Sequence, residues 1–204
     1  MSQVTGMKPW LTMWGQPKST VRAIVHSNPS YGVFYLAAIY ALQSLFFYAN
    51  WWSLGIQPHF YLILFAGIVL SPLIGLVWVY YLSFVFYCIS RLFGGRAPMS
   101  HVRTAVAWSL IPVSINLLMW LVLIFLSPHN AFIQDTVGPS SIFINLIGLI
   151  LGIWSIILLI QGLCEVEQFS LPRSIAVLLI SWFISSLTVL LFFALLRYIY
   201  IVIV

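Results

Sequence analysis

Seven of the eight basic residues of this chain fall in alternate connections between long apolar runs. Lys8, Lys18 and Arg22 precede the first run, Arg91, Arg96 and Arg103 follow the second, and Arg173 follows the fourth; Arg197 alone stands near the end of the last run. No soluble fold accounts for this layout. With 63% hydrophobic and 5% charged residues, the chain lacks the polar surface of soluble domains, which carry roughly 25% charged residues. The bilayer is the solvent that fits. Confining the basic residues to alternate connections, and so to one side, also gives the chain a fixed sense across it, because Lys and Arg mark the cytoplasmic side.

A membrane span needs about 20 apolar residues. The runs therefore predict an all-α, polytopic membrane protein of five transmembrane helices, at about 32–52, 60–90, 104–126, 142–163 and 174–198, in one domain over 31–204. The N-terminus is expected in the cytoplasm and the C-terminus outside. Residues 1–30 form a cytoplasmic amphipathic segment with a short interfacial helix. In it Val21, Ile24 and Val25 share one face, and Lys18, Arg22 and His26 the other. Pro17 suits its first turn and Asn28-Pro29 its end. Trp10, Trp14, Lys18 and Arg22 then read as an interfacial anchor that lies on the membrane and caps the bundle. A regulatory or partner-binding helix is the alternative. The net charge of +5 fits anionic lipid headgroups. Nucleic acid is not an expected partner, because no basic run is interleaved with exposed aromatics.

Small residues predict where helices touch. Gly67, Ser71 and Gly75 recur every four residues, and Gly148 and Gly152 form a GxxxG; both patterns let helices approach closely. They fit a tight monomeric bundle or a homodimer. Pro72 allows a kink in the second run, which is longer than a bilayer requires. Asn116, four residues past Pro112, is expected to find an interhelical hydrogen bond; lining a polar path is the alternative.

The chemistry concentrates in two connections. Gly94-Gly95 makes a sharp turn amid Arg91, Arg96, His101 and Arg103. Backbone amides and guanidinium groups there suit a phosphate headgroup; positive-inside topology and a helix stop account for the same residues without a ligand. Glu165 and Glu167, two of the three acids, stand one residue apart at the exit of the fourth span. On an extended turn they would lie on one side and pair with Arg91, Arg96, Arg103 or Arg173 in a loop network. The alternatives are a proton or cation site, or a divalent cation held by both carboxylates with His101. No other cofactor is implied. Cys88 and Cys164 lie at the cytoplasmic ends of spans, where thiols stay reduced, and no disulfide is expected. His129 and Asp135 belong to an exterior loop. No nucleophile elbow, HExxH or intramembrane Asp pair is present, so a non-enzymatic protein is expected.

Three stretches carry a family resemblance. They are Pro17-Lys-Ser-Thr20 continuing to Ile24; Phe93-Gly94-Gly95 followed by Ala105-Val-Ala-Trp-Ser-Leu-Ile-Pro112; and Trp154 through Gly162-Leu-Cys-Glu165-Val-Glu-Gln-Phe169-Ser170 to Arg173. In order and spacing the chain resembles the Yip1 domain family. The resemblance implies a five-helix integral membrane protein. Eukaryotic members are linked to Rab GTPases and membrane trafficking, and carry long cytoplasmic N-terminal regions. The short region here resembles the compact bacterial members and implies the bacterial inner membrane. The expected function is to organise membrane lipids, or recruit a protein partner, through the basic cytoplasmic loops. The alternative is transport: a small transporter or channel using Glu165 and Glu167.

Overall fold

The computed structural model describes residues 8–56, 60–128, 131–134 and 139–203, without the side chains of 139–144, 196 and 200–203. His59, His129 and Asp135, and with them the expected exterior-loop pair, lie outside the described residues. The described elements are all helical: α1 (Pro9–Gly15), α2 (Pro17–Ser27), α3 (Val33–Trp51), a 3-10 turn at Leu54–Ile56, α4 (Phe60–Leu92), α5 (Met99–Ser109), α6 (Ile111–Leu126), α7 (Pro139–Glu167) and α8 (Leu171–Ile203). Five segments are long and apolar enough to cross a membrane. The third consists of α5 and α6 together, broken at Leu110 just ahead of Pro112, because proline has no N–H to donate to the carbonyl four residues back and its ring crowds that carbonyl. By contrast, α4 continues through Pro72 for 33 residues.

At 1.5 Å per residue α4 is about 50 Å long, well beyond a hydrocarbon core of ~30 Å. Protein clothes its surplus. Val85, Phe86 and Ile89 pack with Ala97, Val102, Leu163, Phe169 and Val177 in a buried cluster at the C-terminal end of α4. That end also carries α1, α2 and the α4–α5 and α7–α8 connections, and is termed the basic end. The opposite end is closed by Phe132, stacked on Trp120 and packed against the tilted rings of Phe46 and Phe60. Asn50 Nδ2 donates to the carbonyls of Ala131 and Ile133 there, each at 3.1 Å.

Glycine decides how closely α3 and α4 approach. A Cβ on Gly75 would overlap the Ala37 carbonyl of α3, and one on Gly67 would sit 2.9 Å from the Phe46 ring. The Gly67–Ser71–Gly75 stripe thus does seat α4 on α3. The Gly148–Gly152 pair does not make the corresponding contact among the described residues. Nothing lies within 4 Å of a Cβ on Gly152, and only Asn116 Nδ2, at 3.7 Å, approaches one on Gly148. The close contact of α7 is made instead by Gly162, whose Cβ would stand 3.1 Å from Ala105 Cβ of α5. Nor does Asn116 find the hydrogen bond expected of it: its Oδ1 is buried and unpartnered among the described residues.

The amphipathic segment packs on protein. Met13, Val21 and Ile24 are fully buried against Leu36, Trp108, Ile111 and Leu158. Trp10 lies against Trp108, ring centroids 5.3 Å apart, and Trp14 packs on the same cluster. The apolar face that the sequence alone would lay on lipid is therefore taken up by the bundle, because α3, α5 and α7 together present a matching apolar end. Lys18 and His26 stay exposed on the other face.

Candidate functional site at the basic end

Both connections of the basic end are shaped by helix stops of one kind. Past α4, Gly94 is left-handed (φ +83), the Gly94 N–H donates to Arg91 O, and the Gly95 N–H donates to Ser90 O at 2.8 Å. This is a Schellman stop, which favours glycine at its left-handed position. Past α7, Gln168 takes that position (φ +55) and the Phe169 N–H donates to Cys164 O at 3.1 Å.

The α7 stop comes after Glu167, so Glu165 and Glu167 are both still helical. Two residues on a helix point about 200° apart, and the carboxylates diverge instead of lying on one side. Each also sits at the negative end of the α7 dipole, where an acid needs compensation. Glu165 turns toward α2: Arg22 donates from Nε at 2.5 Å and from Nη2 at 3.0 Å. This is the one ion pair among the described residues, and it is lopsided, with the Arg22 side chain 61% exposed and that of Glu165 only 10%. The hydrogen bond and the charge of Glu165 raise the Arg22 pKa above its ordinary value. Glu165 therefore does not pair with Arg91, Arg96, Arg103 or Arg173. Its partner is a residue assigned from sequence to membrane anchoring.

Glu167 turns the other way, onto the glycine connection. It is 7% exposed, and its Oε2 accepts the Ala97 N–H at 3.0 Å. A Cβ on Gly95 would lie 2.5 Å from that oxygen, so the second glycine is present to admit the carboxylate. Arg91 holds the same loop from the opposite side, donating to Gly95 O at 3.0 Å and Ala97 O at 3.1 Å. Acid and arginine thus brace one loop through its backbone without touching each other as an ion pair.

The remaining cations separate. Arg103 donates to Ser30 Oγ at 3.1 Å and lies over the Tyr80 ring, but its Nε is buried with no partner among the described residues. Arg173 lies over Phe169. Arg96, Lys8 and Lys18 are exposed. His101 is half-buried, and it does not complete a metal site with the glutamates: among the described residues no three His, Cys, Asp or Glu side chains are grouped to hold a metal ion. The divergence of the two carboxylates is the reason. Cys88 and Cys164 are free thiols, and Cys164 Sγ donates to Ser174 Oγ.

Two residues outside the expected set fix the entry to α3. The buried Trp108 ring donates from Nε1 to Tyr31 O at 3.0 Å. It also covers Gly32, which is left-handed (φ +74) and whose Cβ would stand 2.9 Å from the ring. Thr104 Oγ1 donates to Pro29 O at 2.6 Å. Asn28-Pro29 marked this break in the sequence; nothing there marked its distant partners.

Comparison with curated proteins gave no match, and comparison with solved structures gave none. A family model, the Yip1 domain, matches residues 11–196. The matched stretch holds the first four spanning segments, most of the fifth and both connections of the basic end. This integral membrane protein belongs to the Yip1 domain family.

Proposed function

We propose that this protein organises anionic lipids at the cytoplasmic face of a bacterial inner membrane, with the basic end inside and the C-terminus outside. Support for the orientation comes from the positive-inside rule, since seven of eight basic residues belong to that end. The observation that carries the reading is Arg103. Its guanidinium has a buried, unpartnered Nε and no acid beside it among the described residues. A half-buried guanidinium without a counter-charge calls for an anion, and a phosphate headgroup is the one a bilayer supplies. Arg96 and Lys18, both exposed on the same end, add the nonspecific attraction of a basic surface for an anionic leaflet, worth about 1 kcal/mol for each side chain near it. A protein partner with an acidic surface would use the same residues.

The transport reading has less support, because both glutamates that motivated it are engaged by Arg22 and by the Ala97 N–H. The lipid reading is tested by native mass spectrometry of the full-length protein in mixed phosphatidylglycerol and phosphatidylcholine nanodiscs. The wild type should retain phosphatidylglycerol preferentially. The Arg96→Gln/Arg103→Gln variant should lose most of that preference, and an unchanged ratio would reject the reading.

A further inference from the structure

Two cavities open between the spans, away from the basic end. One, of about 390 Å³, is lined in part by Gln43, Asn116 and Asn145. The other, of about 860 Å³, lies between α4, α7 and α8 and is mostly apolar, with Ser155 and Ser185 in its wall. Tyr40, Val113, Gly148 and Leu149 line both. The two therefore adjoin, and together form a crevice region with a polar chamber and an apolar body. Leu149, Ile153 and Leu190 on its walls are exposed on the outer surface of the bundle. The crevice thus opens sideways, toward acyl chains.

Three residues that line this crevice each carry a buried polar atom with no partner among the described residues: Asn116 Oδ1, Ser155 Oγ and Ser185 Oγ. Their residues are 5%, 8% and 6% exposed. A serine within a span can donate to the carbonyl one turn back, as Ser83 does to Val79 O at 2.6 Å; Ser155 and Ser185 do not. In hydrocarbon no water is at hand to satisfy such groups. The crevice is also kept open, since Gly148 and Gly152 contribute no side chain where a Cβ would meet almost nothing.

We propose that this crevice binds one uncharged membrane amphiphile, a hydroxyl-bearing head on a single apolar chain. Among the described residues no Asp, Glu, Lys, Arg or His lines either cavity, so a charged head would be buried without a counter-charge, which is costly. A hydroxyl donates to Asn116 Oδ1 and can accept from a neighbouring amide, while an ester oxygen accepts from Ser155 or Ser185. The larger cavity lies within the size range of small-ligand pockets, about 300–1,000 Å³. The site shares no residue with the arginines of the basic end, and the two proposals stand or fall separately.

The test is a titration of the delipidated full-length protein in detergent, followed by native mass spectrometry, with 1-monooleoylglycerol as the probe. One equivalent should bind saturably. Methyl oleate, which lacks the hydroxyls, should bind about tenfold more weakly, the effect of one buried hydrogen bond, and the anionic lysophosphatidylglycerol should not compete. Asn116→Leu should lower monooleoylglycerol binding to the methyl oleate level. Gly152→Phe, which fills the open side of α7, should abolish binding of both. Thermal unfolding confirms that each variant is folded, and Arg96→Gln/Arg103→Gln should bind the probe as the wild type does. Absence of saturable binding, equal binding of lysophosphatidylglycerol, or unaltered binding in the two folded crevice variants would overturn the proposal.

Discussion

Glu167 shows how one side chain can fix a connection. Its carboxylate accepts from the Ala97 N–H and lies against Gly95, so a charge at the unfavourable end of a helix dipole is used to hold a neighbouring loop. Hydrogen bonds to a charged group contribute about 1.5–3 kcal/mol, and neutral ones about 0.5–1.5 kcal/mol. Glu167→Gln should therefore lower stability by about 1 kcal/mol, because an acceptor remains, whereas Glu167→Ala strands a buried N–H and should cost about 2 kcal/mol. Chemical denaturation in a fixed detergent ranks the two, and equal losses would show that the carboxylate does not hold the loop. The sequence marked Glu165 and Glu167 as unusual, but it could not assign their partners. Those depend on α7 remaining helical through Glu167, and the end of a helix is set by its stop, here a left-handed Gln168 that carries no glycine to announce it.

At the scale of the element, α2 is held in two ways. Val21 and Ile24 are buried against the bundle, and Arg22 reaches the better-buried Glu165. The sequence pattern placed these residues on opposite faces of α2, as they are; it could not show that the apolar face meets protein, since lipid and a protein core select the same side chains. The two environments differ in exchange behaviour. Arg22→Gln should raise amide hydrogen exchange across 17–27 while leaving α5 and α6 unchanged, and added salt should produce part of the same effect in the wild type. Uniform protection in both proteins would mean that the apolar face alone secures the helix.

For the whole molecule, apolar surface provides no net drive for helices to associate within lipid, so close packing and polar contacts decide which faces meet. Gly75 and Gly152 appear equivalent in the sequence, each in a small-residue repeat, yet the fold uses them oppositely. Gly75→Ala places a methyl group on the α3 backbone and should destabilise the bundle by about 1–3 kcal/mol, as overpacking does. Gly152→Ala meets nothing and should be neutral or slightly stabilising through lower chain entropy. Thermal unfolding of the two variants side by side separates packing glycines from the glycine that keeps a crevice open.

The sequence by itself determined the solvent, the five spans and the grouping of charge in alternate connections, because hydropathy and charge act locally and add along the chain. The left-handed Gly94 was legible in the glycine pair for the same reason, since glycine alone enters that region freely; Pro72 and Pro112 looked alike in the sequence, and the structure breaks only the third span. Only the tertiary structure decided that Arg22 meets Glu165, that Glu167 supports the glycine turn, and that one of two similar glycine repeats is buried while the other borders a crevice. Those outcomes depend on the rotation of each helix about its axis. Lipid imposes little preference on that rotation, and the fit of backbone against backbone fixes it.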